Sequence, residues 1–246
     1  MKYILNADDF GQTETVNRAI TECFAEGSVT RTSIMVNMPP YEEAKRLARE
    51  NGFYDKIGLH INLLKGVPLT KEILGVPSFS DGKEFNAQIF KKRRLLFFLT
   101  PRERRAVRCE VEAQIERYIK DGFPLMHADS HGHVHTFPSL RRLVMKALKK
   151  HGFVSTRISR NLAVHSSGLR HIFKSHTNKK IRKTFRSTEY FGSIGDAFSD
   201  FSLHTGEDGI TEIMLHPNYY EDGFAYGEGE TYVLSDFPDE IMKNRI

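Results

Sequence analysis

The sequence predicts an α/β fold with mainly parallel strands, either an open sheet or a barrel, and three observations predict it. Short apolar strands alternate with helix-length amphipathic stretches over most of the chain. Cap and turn residues stand where those elements must stop. The polar residues able to do chemistry fall directly after the apolar runs, strand after strand.

The elements follow in order. Tyr3–Leu5 is a short apolar strand running into the polar stretch NADDFG, and Val16, Ala19, Ile20 and Cys23 then recur at helical spacing until Gly27 stops them. Ser33–Val36 reads as a second strand, Glu42–Glu50 as a helix ended by Gly52, and KIGLHINL (56–63) as a third strand. Thr100, Pro101 and Glu103 place a cap, a first-turn proline and an N3 glutamate in the order that opens a helix, here to Lys120. Leu125–Asp129, Ser139–Lys150 and Val154–Ile158 repeat the strand, helix, strand alternation. After an irregular stretch, EIMLHP (212–217) supplies a further strand.

Composition sets the outer limits. A chain of 246 residues, 39% hydrophobic and 27% charged, with no Pro/Ser/Gly-rich linker, fits one globular domain over residues 1–246. Two aspartates interrupt the N-terminal apolar stretch early, and the longest apolar run, Leu95–Leu99, is far too short for a bilayer, so we expect a cytoplasmic protein with no membrane partner. Cys23 and Cys109 fall in expected helices and read as free thiols. The net charge of +5 collects in KKRR (91–94), RERR (102–105) and the segment Arg170–Arg186. None of these interleaves the aromatics of a nucleic-acid platform, so they are expected to be solvated surface with no nucleic-acid partner.

The placement of the polar residues points to chemistry. Asp8 and Asp9 follow YILNA, His60 follows IGL, and His216 follows EIML. The stretch HADSHGHVH (127–135) puts four of the 11 histidines into nine positions behind PLM. Strand C-termini form the rim where sites are built in barrels and α/β sheets. Alone, the aspartates suit a turn, and His60 or His216 a hydrogen-bonded strand-end position. Together, carboxylate and imidazole donors on one rim fit a divalent metal. If the cluster stayed extended, Asp129, His131, His133 and His135 would share one face.

NADDFG, GLHINL, EVEAQIERY (110–118), ADSHGHVHTFP, STRIS and MLHP occur in an order that resembles the YdjC-like carbohydrate deacetylases, over residues 3 to about 217. The resemblance implies a distorted TIM-like (β/α) barrel, one divalent cation (Mg²⁺ or Zn²⁺, with Mn²⁺ or Co²⁺ acceptable), an N-acetylated, chitooligosaccharide-like sugar as substrate, and a homodimer. It implies Asp9, His60 and His131 as metal ligands, Asp8 as general base, His216 as general acid, and Arg157 of STRIS as the residue that orients Asp8. His127, Asp129, His133 and His135 become substrate-facing or surround the ligands. A rim insertion is expected at about 160–200, its basic part 170–186 forming a lid or dimer contact and Phe191 an aromatic face for sugar. The C-terminal stretch GEGETYVLSDFPDEIMKNRI departs from the family pattern.

The chemistry is coherent on its own terms. Amide hydrolysis needs a nucleophile at neutral pH, and a bound cation lowers the pKa of water from 15.7 toward about 7 in the most favourable zinc case. An ionised aspartate takes the water's proton, and a histidine protonates the departing amine. Two rivals share these residues: a metal-dependent phosphoesterase or nuclease on a similar barrel, which typically uses a second metal, and a non-catalytic sugar-binding protein.

Overall fold

A computed structural model of the chain describes residues 1–162, 168–198, 208–220, 223–227 and 237–246. Residues 163–167 and 199–200 of the expected rim insertion, and 228–236 of the C-terminal stretch, lie outside the described residues. Seven parallel strands form one sheet: β1 (Lys2–Phe10), β2 (Arg31–Ile34), β3 (Ile57–Ile61), β4 (His127–Ser130), β5 (Ser155–Thr156), β6 (Tyr190–Ser193) and β7 (Ile210–Leu215). Their order is β5-β4-β3-β2-β1-β7-β6. The edges meet through the segment between them. Ser155 bridges Arg186 in parallel, and the Asn161 and Leu162 N–H groups donate to the Phe191 carbonyl at 2.9 and 3.1 Å. The sheet is therefore curled into the distorted TIM-like barrel that the sequence resemblance implies.

Strand alternation decides what lies inside this barrel. Leu5, Ala7, Ile34, Leu59, Ile61, Ala128, Ile213 and Leu215 point outward and join a buried apolar core under the helices α1 (Glu14–Glu26), α2 (Tyr41–Glu50), α6 (Pro101–Lys120) and α7 (Pro138–Lys150). The alternate row holds Asn6, Asp8, Ser33, His60, His127, Asp129 and Glu212, all buried. One face of each strand thus supplies stability while the other builds a polar interior. Short helices α3 (Lys71–Leu74), α4 (Gln88–Lys91) and α5 (Arg93–Phe97) lie between β3 and α6. No helix among the described residues is long and apolar enough to cross a membrane.

Most expected boundaries hold within a few residues, and the differences have physical causes. β1 runs on to Phe10 instead of ending at Leu5, because its polar residues find partners inside the barrel. The strand expected at Val154–Ile158 shortens to Ser155–Thr156: the Arg157 N–H still donates to the Ala128 carbonyl at 3.3 Å, but its own carbonyl is taken by the His135 ring at 3.0 Å. The irregular stretch contains helix α8 (Leu169–Arg182) and strand β6. The basic segment is docked rather than loose: Ile181 packs with Ile158, Phe191 and Met214, and the Asn178 amide exchanges two hydrogen bonds with the Ser159 backbone. Cys23 and Cys109 are free, as expected.

Helix α6 opens as its sequence predicts. The Thr100 hydroxyl accepts from the Glu103 N–H at 3.2 Å while the Glu103 carboxylate accepts from the Thr100 N–H at 2.7 Å. Glu103 also accepts from Arg94 at 2.8 and 2.9 Å and from Ser78 at 2.6 Å. The Arg94 guanidinium holds this carboxyl down to about 2, against burial. A depressed carboxyl contributes stability that is complete above its unfolded value, about 4.3, and is lost as pH falls through the folded one. Glu103→Gln, which keeps a capping group but loses the ion pair, is expected to cost about 1–2 kcal/mol at pH 7 by urea unfolding. That difference should close between about pH 4 and pH 2, and a constant gap over this range would show that charge has no part in it.

Candidate metal centre and active site

The site begins with a bulge. β1 pairs with β2 as Ala7↔Thr32 and then Phe10↔Ile34, so Asp8 and Asp9 together oppose one residue of the partner strand. Asp9 takes φ 70°, in the left-handed region, which aspartate tolerates better than most side chains. In a regular strand two successive side chains point to opposite faces. Here the extra residue turns both carboxylates toward the barrel mouth. Gly11 follows with φ 89°, and a Cβ there would stand 3.1 Å from the Met35 carbonyl oxygen.

Three donor groups meet at Asp9. His60 Nε2 lies 3.0 Å and His131 Nδ1 2.7 Å from Asp9 Oδ1, and ligand atoms of all three residues fall within 4.8 Å of one another. Burial opposes ionisation of Asp9, yet hydrogen bonds from His131 and His60 hold its carboxyl well below the usual range. Burial likewise disfavours a charged His60, but Asp129 and Asp9 push the imidazole up to about 10. A proton is held tightly where four buried carboxylates, Asp8, Asp9, Asp129 and Glu212, face one fully buried guanidinium, that of Arg157. Such a grouping of carboxylates and imidazoles is one that a divalent cation would fit. The donors' spacing also suits one, being close to the edge of an octahedron with bonds of about 2.0–2.1 Å, roughly 2.9 Å.

The layer beneath fixes those donors. His60 Nδ1 lies 2.7 Å from Asp129 Oδ1 and 3.0 Å from the Ser33 hydroxyl, which itself donates to Asp129 Oδ2 at 3.0 Å. A carboxylate behind a histidine selects the tautomer that leaves the other nitrogen free for a metal. Arg157 donates to both Asp8 oxygens at 2.6 Å, and also pairs with Asp129 Oδ2 at 2.8 Å and Glu212 Oε1 at 2.7 Å. Its guanidinium sits 4.7 Å over the Phe191 ring. Asp8, His60 and Asp129 form a second cluster of potential ligands, but Arg157 already occupies both of its carboxylates.

The histidine run divides its labour. It does not stay extended: residues 131–136 form a 3₁₀ turn with Gly132 at φ 59° and His133 at φ 55°, so the four alternate residues do not share a face. Glycine suits this turn, since a Cβ at position 132 would lie 2.7 Å from Leu64 and from Phe90. His131 alone of the four histidines reaches Asp9. His135 bridges the Ser130 hydroxyl at 2.5 Å and the Arg157 carbonyl at 3.0 Å, and burial pushes its imidazole down to about 4. His127 lies deeper, next to Ser155, and burial lowers it to about 3. His133 packs edge-on against Phe191, with ring centroids 5.5 Å apart.

His216, at the end of β7, faces Asp8 and Asp9 across a small open cleft of about 40 Å³. Its backbone N–H donates to the Tyr226 carbonyl at 2.8 Å, which anchors the turn that carries it. Two expectations need correction or addition. Phe191 is fully buried beneath Arg157 and His133, so it offers no face to a sugar. Glu212, which holds Arg157, was not singled out from the sequence; its one signal is a charged residue inside an otherwise apolar strand, EIML.

The architecture is thus an α/β barrel whose C-terminal rim carries a cluster of carboxylates and histidines with the spacing to hold a metal ion. The chain belongs to the YdjC-like protein family, whose model matches residues 2–241. It is similar to a carbohydrate deacetylase of Brevibacillus brevis, 36% identical over 100% of this chain and 94% of the relative. A carbohydrate deacetylase of Vibrio campbellii is 32% identical over 88% of this chain and 78% of its own length. The fold is also that of a crystallised Enterococcus faecalis V583 protein, described as a proposed cellobiose-phosphate cleavage protein. The two superpose with a TM-score of 0.74 at 23% identity, over 99% of this chain and 93% of the other.

Arg157→Met tests the buried cluster. Leaving Asp8, Asp129 and Glu212 without their counter-charge is expected to destabilise the protein by about 3–5 kcal/mol at pH 7 in denaturant titrations. A loss under about 1 kcal/mol would mean that these carboxylates are neutral in the folded state.

Proposed function

We propose that the protein is a metal-dependent carbohydrate deacetylase that hydrolyses the acetamide of N-acetylated, chitooligosaccharide-like sugars to acetate and a free amine. The observation that carries this reading is the meeting of Asp9, His60 and His131 beside an aspartate clamped by a buried arginine. The deacetylase names of the full-length relatives support it. Asp9, His60 and His131 would hold the cation, Mg²⁺ or Zn²⁺, with Mn²⁺ and Co²⁺ as substitutes. Bound there, it would supply Lewis acidity toward the acetyl oxygen and toward water.

The chain's own residues do the rest. Asp8 Oδ1 accepts two hydrogen bonds, from Arg157 Nη2 and Asn6 Nδ2, whereas Oδ2 accepts one, from Arg157 Nη1. Oδ2 is therefore the oxygen with capacity to take the proton of the attacking water. Arg157 holds Asp8 in place through both of its oxygens. His216, opposite, delivers a proton to the departing amine nitrogen, so that acid and base act from two walls of one cleft. His133 is assigned to the substrate side, Asp129 backs His60, and His135 backs Arg157 through its carbonyl. A homodimer in the cytoplasm completes the proposal. A two-metal phosphoesterase is the weaker alternative, because Arg157 already pairs with both carboxylates of the neighbouring Asp8–His60–Asp129 group.

Acetate release from N-acetylglucosamine oligomers should be absent in metal-stripped protein and return with one equivalent of cation. Asp8→Asn should retain metal at one ion per chain and lower kcat by about 10²–10⁴. Full turnover in Asp8→Asn would remove Asp8 from the base role, and unchanged metal content in His60→Ala or His131→Ala would break the proposed ligand set.

A further inference from the structure

One side of a pyranose ring is a patch of C–H groups, which packs on the electron-rich face of an aromatic ring. Phe191 cannot offer that face, being buried beneath Arg157 and His133. Phe90 stands elsewhere on the same rim. It belongs to α4, is 51% exposed, and rests the end of its ring on the histidine turn: a Cβ at Gly132 would lie 2.7 Å from its Cζ and 3.4 Å from its Cε2. Gly132 is itself exposed, and it separates the proposed ligand His131 from His133.

Phe90 is braced from behind. Its ring meets Phe137 edge to face, with centroids 5.9 Å apart and planes at 88°. The turn that opens α4 is fixed by the Asn86 side chain, which accepts from the Gln88 N–H at 3.1 Å and donates to the Pro77 carbonyl at 3.0 Å. Further on, the Ser139 hydroxyl donates to the carbonyl of the buried Leu95 at 2.5 Å, tying α5 to the helix that follows the histidine turn. A half-exposed aromatic held in this way loses little freedom when it is covered. Tyr219, just past the cleft residue Asn218, is by contrast engaged by Glu22 through its hydroxyl and by Phe224 through its ring.

We propose that Phe90 is a substrate-binding residue whose open face stacks on the sugar ring next to the N-acetylated unit held at the metal centre. The inference rests on the deacetylase reading and adds to it the side chain that recognises an oligosaccharide. A single N-acetylated sugar has no neighbouring ring to cover Phe90, so the contact favours oligomers.

The test uses metal-loaded protein and diacetylchitobiose. Phe90→Ala should raise KM by about 3–10-fold, with kcat changing less. Phe90→Tyr should restore KM, whereas Phe90→Leu, which refills the space over Gly132 without an aromatic face, should not. The chain contains no tryptophan, so Phe90→Trp creates a single fluorophore. Its emission should shift on rapid mixing with the sugar, while that of Val154→Trp, placed before β5 at the far end of the barrel, should not. Acetate release by the native protein with KM unmoved in Phe90→Ala, a silent tryptophan at 90, or full recovery in Phe90→Leu overturns the stacking role alone. No acetate release from any N-acetylated sugar by the native protein overturns the deacetylase reading and this inference with it.

Discussion

The site depends on one buried side chain. Arg157 has no solvent exposure and divides its donors among Asp8, Asp129 and Glu212, which come from β1, β4 and β7. A guanidinium withdrawn from water is tolerated only where its donors find acceptors of fixed geometry, and Arg157 finds them on three strands. It follows a strand of two residues at the edge of the sheet, where backbone pairing is least. Side-chain bonding across the barrel adds to the few backbone bonds that Val154 and Thr156 make with Arg186 there. Closure of the barrel and orientation of Asp8 are thus one event.

The second constraint is the bulge at the end of β1. A left-handed aspartate costs about 1–3 kcal/mol, and the surrounding contacts must hold it in place. They do so on both sides: Asp9 is gripped by His60 and His131, and the turn after it by the Gln12 to Asp9 hydrogen bond. Without the extra residue, either Asp8 or Asp9 would point into the apolar layer under the helices. The strain yields two carboxylates with different surroundings, one against an arginine and one against two imidazoles. Neighbouring groups of the same type can then serve different purposes.

The histidine-rich segment shows how environment sorts identical side chains. His131 stands at the mouth, its Nδ1 2.7 Å from Asp9 Oδ1. His135 and His127 are enclosed, and burial keeps both neutral at physiological pH. His135 ties the Ser130 hydroxyl to the Arg157 backbone, so it supports the same arginine that clamps Asp8. The density of imidazole in this stretch therefore reflects one proposed ligand and its scaffolding.

Period and punctuation in the sequence determined the alternation of strands and helices, the opening of α6 at Thr100 and the rim on which Asp8, Asp9, His60, His131 and His216 stand. Those features are local: an apolar repeat, a cap, a polar residue after a strand. The four-residue β6, the shortening of β5 to two residues and the docking of α8 were not legible, because they depend on barrel closure and not on their own propensity. The same holds for the bend at Gly132–His133, where Leu64 and Phe90 from elsewhere in the chain leave no room for a side chain at 132, and for the burial of Phe191 under Arg157. Glu212 belongs to this group as well. A glutamate within an apolar strand is only an oddity until the tertiary structure brings Arg157, 55 residues away, within 2.7 Å of it. Local physics selects the elements, while long-range electrostatics and packing decide which polar side chains share a dry interior.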